Sequence, residues 1–387
     1  MTLGQRIELG LYTFNVIRIL VAIGVIRVIL RRERIAGGFN AMDMLIVVWS
    51  MWALISSVFH KDPSVAITFR LGLVYNTCGI YFLFRVFCQS LEDLIILCRI
   101  LAVVLLPVAV EMINEKIMAS NYFSVLGGVP EFPKIREGKL RAQGPFAHAI
   151  MAGTVGALSL PLVIALWHQH RREAIIGIFS CLAIIVTCAS SGPILSALAG
   201  IGALYLWKFR EWISFLRWIG LLGYIGLDLV MKDPAYYIMA RIDITGGSTG
   251  WHRAKLINMA LKHIDEWWLG GTDFTRHWMP TGVSWSPDHS DITNHYIKMG
   301  VIGGLPLMLL FIAIVLKGFS FVGQTLHQVN KMPFESQFMI WALGASLFSI
   351  AATCISVSFF DQSFLFLYLV LAMISSMRNV CGATLSL

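Results

Sequence analysis

The chain has 387 residues, 57% of them hydrophobic and 13% charged, with a mean hydropathy of +0.74. Soluble domains carry roughly 25% charged residues, so the composition excludes a soluble globular protein and points to an all-α polytopic membrane protein. The net charge of +8 lies mostly in short loops and span ends, where it sets orientation; it is not the footprint of a nucleic-acid binder.

Length and hydropathy mark about 11 spans, or 12 if one near the start is miscounted. They run over 11–30, 41–59, 65–87, 95–113, 147–169, 174–189, 193–209, 213–231, 305–322, 337–359 and 363–380. The first apolar run is too long for a cleavable signal peptide and lacks a small-residue cleavage site. Residues 1–387 read as one integral membrane domain, with two long polar linkers at 114–146 and 232–304. The cysteines at 78, 88, 98, 181, 188, 354 and 381 fall in or beside apolar runs, so neither linker has a disulfide staple or a cysteine metal site. Arg31, Arg32, Arg34, Arg171, Arg172, Lys208, Arg210, Lys317, Lys331 and Arg378 alternate onto one face. By the positive-inside rule that face is cytoplasmic, and both linkers then face the periplasm or cell exterior. No internal repeat is present, which argues against an inverted-repeat transporter.

Polar residues stand out in chain order. Arg70 lies about a turn inside the outer end of the third span, a costly place that implies a polar cavity. Arg18, Arg27, Arg85 and Arg99 say less, because several can snorkel to the cytoplasmic surface. Arg141 sits in a Lys-Leu-Arg-Ala-Gln-Gly-Pro-Phe segment just before the fifth span. Ser190-Ser191-Gly192-Pro193 makes a tight break between two spans. Asp228 is either an arginine partner or a helix-end carboxylate.

The larger linker holds seven basic and seven acidic residues and many aromatics, unlike a disordered segment. Within it, Arg253–Trp268 reads as an amphipathic helix with Leu256, Ile257, Ala260, Leu261 and Ile264 on one face, capped by Ser248 or Thr249. Its terminal Trp pair suits a membrane–water interface. Arg141 and Arg253, on the same membrane face, suit a diphosphate, because the guanidinium fork matches phosphate geometry. Lipid headgroups would also pair them.

The linker closes on Pro287–Gly304, rich in His and Asp. Asp288 or Ser290 would cap a helix that places His289 at its N-terminus, beside any bound anion, as base or hydrogen-bond donor. A surface histidine in a polar loop is the plainer reading. A metal held by Asp288, His289, Asp291 and His295 is a rival, although the spacing matches no standard zinc motif.

These pieces together resemble the O-antigen ligase family, which includes the Wzy-type polysaccharide polymerases. The match rests on His289-Ser290, a nine-residue gap and Gly300-Val301-Ile302-Gly303 at the end of the large loop. The Arg141 segment and Gly250-Trp251-His252-Arg253, ahead of a Gly270-Gly271 turn, also fit. In Ser190–Pro193, Ser191 stands where the family commonly has an arginine. The resemblance covers roughly residues 65 to 380.

It implies a metal-independent, inverting membrane glycosyltransferase of the bacterial inner membrane, without a cofactor and with its site facing the periplasm. The donor would be a glycan on undecaprenyl diphosphate, and the acceptor a hydroxyl of lipid A–core or another surface molecule. Arg141 and Arg253 would bind the diphosphate and His289 would activate the acceptor. Arg70, His252, Asp288, Ser290, Asn294 and Tyr296 would contact substrate, with Trp285 and Tyr296 against sugar rings. A Wzy-type polymerase, with a polysaccharide chain-length regulator as its partner, is the alternative. A transporter would carry charges near mid-membrane on broken helices, whereas the polar residues here lie in outer loops.

Overall fold

The computed structural model describes residues 4–9, 12–241, 250–360 and 362–383. In chain order the elements are β1 (Arg6–Leu9), β2 (Tyr12–Asn15), α1 (Val16–Arg31), α2 (Ala41–Ile55), α3 (Pro63–Phe87), α4 (Leu91–Met118), β3 (Lys134–Arg136), β4 (Lys139–Arg141) and α5 (Ala149–Ala165). They continue with α6 (Arg171–Thr187), α7 (Ser191–Tyr205), α8 (Ile213–Val230), the single turn α9 (Ile238–Arg241), α10 (Gly250–Lys262), β5 (Gly282–Val283), β6 (Ser286–Ser290), α11 (His295–Gln328), α12 (Phe334–Cys354) and α13 (Ser363–Ala383). The strands form three small antiparallel hairpins, and the other regular elements among the described residues are helices.

Each of the eleven expected spans contains a helix, although the first, expected over 11–30, is a strand at Tyr12–Asn15 and helical only from Val16; eight helical stretches among the described residues are long and apolar enough to cross a membrane. The difference has two sources. α1 has 16 residues and α6 has 17, roughly 24–26 Å at 1.5 Å per residue, short of a hydrocarbon core of about 30 Å. Residues 191–230 form one helical stretch, bent at Phe209, where the sequence reads two spans. The fold is that of an all-α membrane protein.

α4, α5, α6, α7 and α12 form one group of packed helices; α1, α2, α3, α11 and α13 form a second, and α12 and α13 join them. α5 is the centre of the first group, with nearly every residue buried, Gly153 and Gly156 included. A Cβ at Gly153 would lie 2.4 Å from Cys188 Sγ, so glycine there permits the close approach of α5 to the end of α6. α8 is the opposite case, apolar along its length with no residue buried.

The turns that begin or end α2, α3, α5, α6, α7, α12 and α13 with the long linkers gather at one end of the bundle. Gln362 donates to the Pro145 carbonyl (2.8 Å), Asn294 to the Ile355 carbonyl (3.0 Å), and Ala142 N–H to the Thr187 carbonyl (3.2 Å). Arg141, the Ser190–Pro193 break, Arg253 and His289 lie at this loop end. The other end holds a buried ion pair. Arg85 is fully buried and bonded to Asp43, so it does not snorkel to a surface; the carboxylate and two carbonyls hold it inside.

Candidate functional site

Two polar clusters stand at the loop end. The first is built on arginines. The β3–β4 hairpin turns through Glu137 and Gly138, both at positive φ, and places Arg141 opposite Lys134. The chain after Arg141 is fixed by Glu115 of α4, whose carboxylate accepts from the Gln143 and Gly144 amides. Arg141 is 9% exposed, and its Nε lies 3.5 Å from the Cys188 carbonyl, at the end of α6. Arg253, on the buried face of α10, is 7% exposed. A Cβ on Gly192, in the first turn of α7, would lie 3.8 Å from its Nη2. The Ser190–Pro193 break therefore borders Arg253, and no side chain caps the α7 N-terminus.

Electrostatics set this cluster apart. Burial and then the charges of Arg136 and Arg141 depress the Arg253 guanidinium. Burial also depresses Arg141, with the Arg136 charge adding to it. Burial, followed by Arg141, Lys134 and Arg136, pushes the His148 imidazole down to about 4. Among the described residues no carboxylate stands among the charge neighbours of Arg141, Arg253 or His148. Arg253 Nε is buried without a hydrogen-bond partner among the described residues. An unpaired buried guanidinium is costly, and an uncapped helix N-terminus favours an anion. The arrangement is suited to phosphate oxygens.

The second cluster is built on histidines. It forms around a break in α11, where Gly303 and Gly304 leave helical geometry, with Gly304 at φ +74°. The carbonyls freed by the break are each taken. Val301 accepts from the Thr272 amide (2.9 Å), Gly303 from Trp52 Nε1 (2.7 Å), and Ile302 from Arg70 Nη2. Gly271, at φ +90°, packs so closely that a Cβ would lie 2.3 Å from the Val301 carbonyl; one on Gly300 would lie 2.4 Å from the Trp267 ring. The Gly-x-x-Gly segment thus lets the Gly270–Asp273 turn seat against the helix.

Asp273, at the end of that turn, takes His60 Nδ1–H (2.6 Å) and the Lys61 amide (2.8 Å). With Nδ1 donating, His60 Nε2 faces Arg70 Nη2 and lies 3.1 Å from the Gly270 and Ile302 carbonyls. Burial raises the Asp273 carboxyl, but hydrogen bonds from His60 and Lys61 and the charges of His60 and His289 outweigh it and hold it below its ordinary value. His289 is half-buried. Burial holds its imidazole below the ordinary value, against the opposing pull of Asp273 and Asp288. Its Nδ1 lies 2.8 Å from Ser286 Oγ, and the Trp285 ring is 5.0 Å away. Nε2 has no hydrogen-bond partner among the described residues.

Several expected placements change. His289 is on strand β6, not at a helix N-terminus. Thr275 fixes the strand by donating its amide to Asp288 O and accepting the Ser290 amide at Oγ1. The helix starts six residues later, capped by Asn294, whose side chain also donates to Ile355 O. Asn294 is therefore a cap and tether. Tyr296 donates to the Ala351 carbonyl (3.0 Å) and packs against Phe311, so it is a core residue. Arg70 belongs to the histidine cluster, drawn there by the Ile302 carbonyl. Asp288, 4.0 Å from Lys61 Nζ, borders the histidine cluster, and Ser290 Oγ is buried without a partner. His252 Nε2, next to Arg253 in the chain, is also buried without a partner among the described residues.

The metal set at 288–295 does not converge. His295 is fully buried among Phe311, Phe359 and Phe364, and its Nδ1 accepts from the Phe359 amide. The amphipathic helix begins at Gly250 and ends at Lys262, followed by a 3-10 turn; Trp267 is buried while Trp268 is exposed. The expected caps Ser248 and Thr249 lie outside the described residues. Asp228 is a helix-end carboxylate that accepts the Ala235 amide (2.8 Å).

Sequence reasoning passed over His60 and Asp273. The visible signal was the polar His60-Lys61-Asp62-Pro63 turn between two spans, where Asp62 caps α3. α10 joins the clusters mechanically: it carries Arg253, while its Leu256 and Ala260 share a small core with Trp267, Trp278, Ile297 and Val301. In comparison with known proteins, the chain matches no protein-family model and no curated protein.

Proposed function

We propose that the protein is an O-antigen ligase-like glycosyltransferase of the bacterial inner membrane, acting at the periplasmic face. It moves a glycan from undecaprenyl diphosphate to an acceptor hydroxyl. The observation that carries this reading is the pair of buried guanidiniums, Arg141 and Arg253, beside the uncapped start of α7 and with no carboxylate among their charge neighbours in the described residues. A diphosphate supplies the missing negative charge. Its charge grows as the glycosidic C–O bond breaks, and fixed cations stabilise that growth.

The histidine cluster supplies the complementary half. His289 Nε2 accepts the acceptor hydroxyl's proton as the oxygen bonds to the anomeric carbon, and polyprenyl diphosphate departs with inversion. A neutral imidazole is needed, and the depressed pKa of His289 favours it. His60 and Asp273 act as positioning residues for this strand and turn. Arg70 holds the turn through His60 and the Ile302 carbonyl rather than contacting phosphate.

The test uses purified full-length protein, a lipid-diphosphate-linked glycan and candidate acceptors. Transfer by the wild-type protein, with loss in His289→Ala, Arg141→Ala and Arg253→Ala, is the expected result. Wild-type transfer rates in all three variants would overturn the site.

A further inference from the structure

A third cluster of titratable side chains lies outside both of these. His263 follows α10, Glu266 ends the adjoining 3-10 turn, and His277 lies in the next one, Arg276–Trp278. His263 Nδ1 and His277 Nε2 face the same carboxylate oxygen, Glu266 Oε1, at 2.8 and 3.0 Å. The three ligand atoms all lie within 4.8 Å of one another. We propose that these residues form a binding site for a divalent transition-metal ion of the zinc class.

The donor set fits that chemistry. Two imidazoles and one carboxylate suit zinc, at metal–ligand distances of about 2.0–2.2 Å, with water in the fourth tetrahedral position. Ligand atoms in such a tetrahedron stand roughly 3.3–3.5 Å apart, from those bond lengths. Small side-chain rotations reach that spacing from the separations here. The fourth position opens to solvent, because the three side chains are partly exposed.

An outer shell is also in place. Trp278 Nε1–H donates to Glu266 Oε2 at 3.1 Å, which fixes the carboxylate with Oε1 toward the histidines. The Trp278 ring stacks on His263 at 13° and 6.2 Å. The adjacent cation Arg276 is turned away, its guanidinium committed to the Met279 and Pro280 carbonyls. A bound ion would tie the segment after the Arg253 helix to the turn next to Thr275, the residue that pins the His289 strand. Its role is to brace the loop. The site stands on its own residues, whatever reaction the arginines and His289 serve.

The experiment strips the full-length protein in detergent with EDTA, removes the chelator, and titrates Zn2+ by calorimetry and Co2+ by visible absorption. The wild-type protein should bind one equivalent, with a rise in melting temperature and a tetrahedral Co2+ spectrum. Glu266→Gln and His277→Gln should each weaken binding by at least about tenfold, the loss that even an outer-shell partner costs, and should lose the spectrum. His170→Gln, at the other end of the bundle, should behave as wild type. Absence of stoichiometric binding by the wild-type protein would leave only a hydrogen-bonded His–Glu–His network and overturn the proposal. Equal affinity across wild type, Glu266→Gln and His277→Gln would overturn it as well, by assigning the ion elsewhere.

Discussion

Arg85 and Arg253 are both buried guanidiniums, at opposite ends of one bundle, and they are treated differently. Arg85 donates Nε–H and one Nη2–H to the two Asp43 oxygens, and its remaining bonds go to Ala36 O, Gly38 O and Ser376 Oγ, at 2.8 to 3.2 Å. That uses all five donors a guanidinium has. Among the described residues no carboxylate acts on Arg253 and its Nε has no hydrogen-bond partner; the charges that act on it are those of Arg136 and Arg141. The chain can satisfy a buried arginine with its own atoms, and at Arg85 it does. Where it leaves one unsatisfied among other cations, we propose that the satisfying group comes from outside the chain.

The largest expected effect breaks the satisfied member. Arg85→Ala strands the Asp43 carboxylate, and Asp43→Ala strands Arg85; either should destabilise the fold by about 3–5 kcal/mol, the cost of leaving half of a buried pair. Thermal unfolding in detergent measures it, and unchanged melting would mean that the pair contributes nothing. At the unsatisfied member the direction reverses. Arg253→Met removes an uncompensated buried charge, so melting should hold or rise, while transfer falls roughly 10²–10³-fold, the loss typical of one transition-state donor. A variant that melts early and transfers glycan normally would make Arg253 a structural residue.

A smaller effect tests the histidine half. His289 must be neutral to take a proton, so transfer should rise with pH through its pKa, which lies below the ordinary histidine value, and then level off. Asp273 raises that pKa. In Asp273→Asn the acid limb should therefore move to lower pH, read from a pH–rate profile. A limb that stays in place would separate Asp273 from His289. The smallest effect is at Ser290, whose buried hydroxyl has no partner. Ser290→Ala should change stability by no more than about 0.5 kcal/mol, or improve it slightly, since it removes an unpaired polar group. A large loss of transfer in this variant would instead make the hydroxyl a substrate contact.

Helices were legible because apolar runs of span length leave little else for a backbone to do in a membrane. Every expected span contains a helix; what composition does not encode is where each helix starts, as the strand at Tyr12–Asn15 shows, or how long it stays straight, as the 191–230 stretch shows at Phe209. Arg141, Arg253 and the Ser190–Pro193 break were visible as single polar features. That Arg253 borders Gly192 and Arg141 reaches the nearby Cys188 carbonyl was not, because the residues lie on separate elements and only packing brings them together. The Gly300–Gly303 spacing was read as a pattern, and the fold supplies its reason: glycines admit Trp267 and the Gly271 turn, where a Cβ has no room. His60 and Asp273 were obscured because each sits in a short polar turn whose partner is about 210 residues away. Asn294 and Tyr296 are the converse case. They neighbour His289 in sequence, but a helix start carries them into the core.

The central claim is that Arg141 and Arg253 hold a diphosphate, and direct binding tests it without any assumption about acceptor or sugar. Purified protein in detergent, titrated with undecaprenyl diphosphate and followed by native mass spectrometry, should bind one molecule per chain. Binding should be lost in the Arg141→Ala, Arg253→Ala double variant and retained in His289→Ala. Retention of wild-type affinity by the double variant would contradict the account.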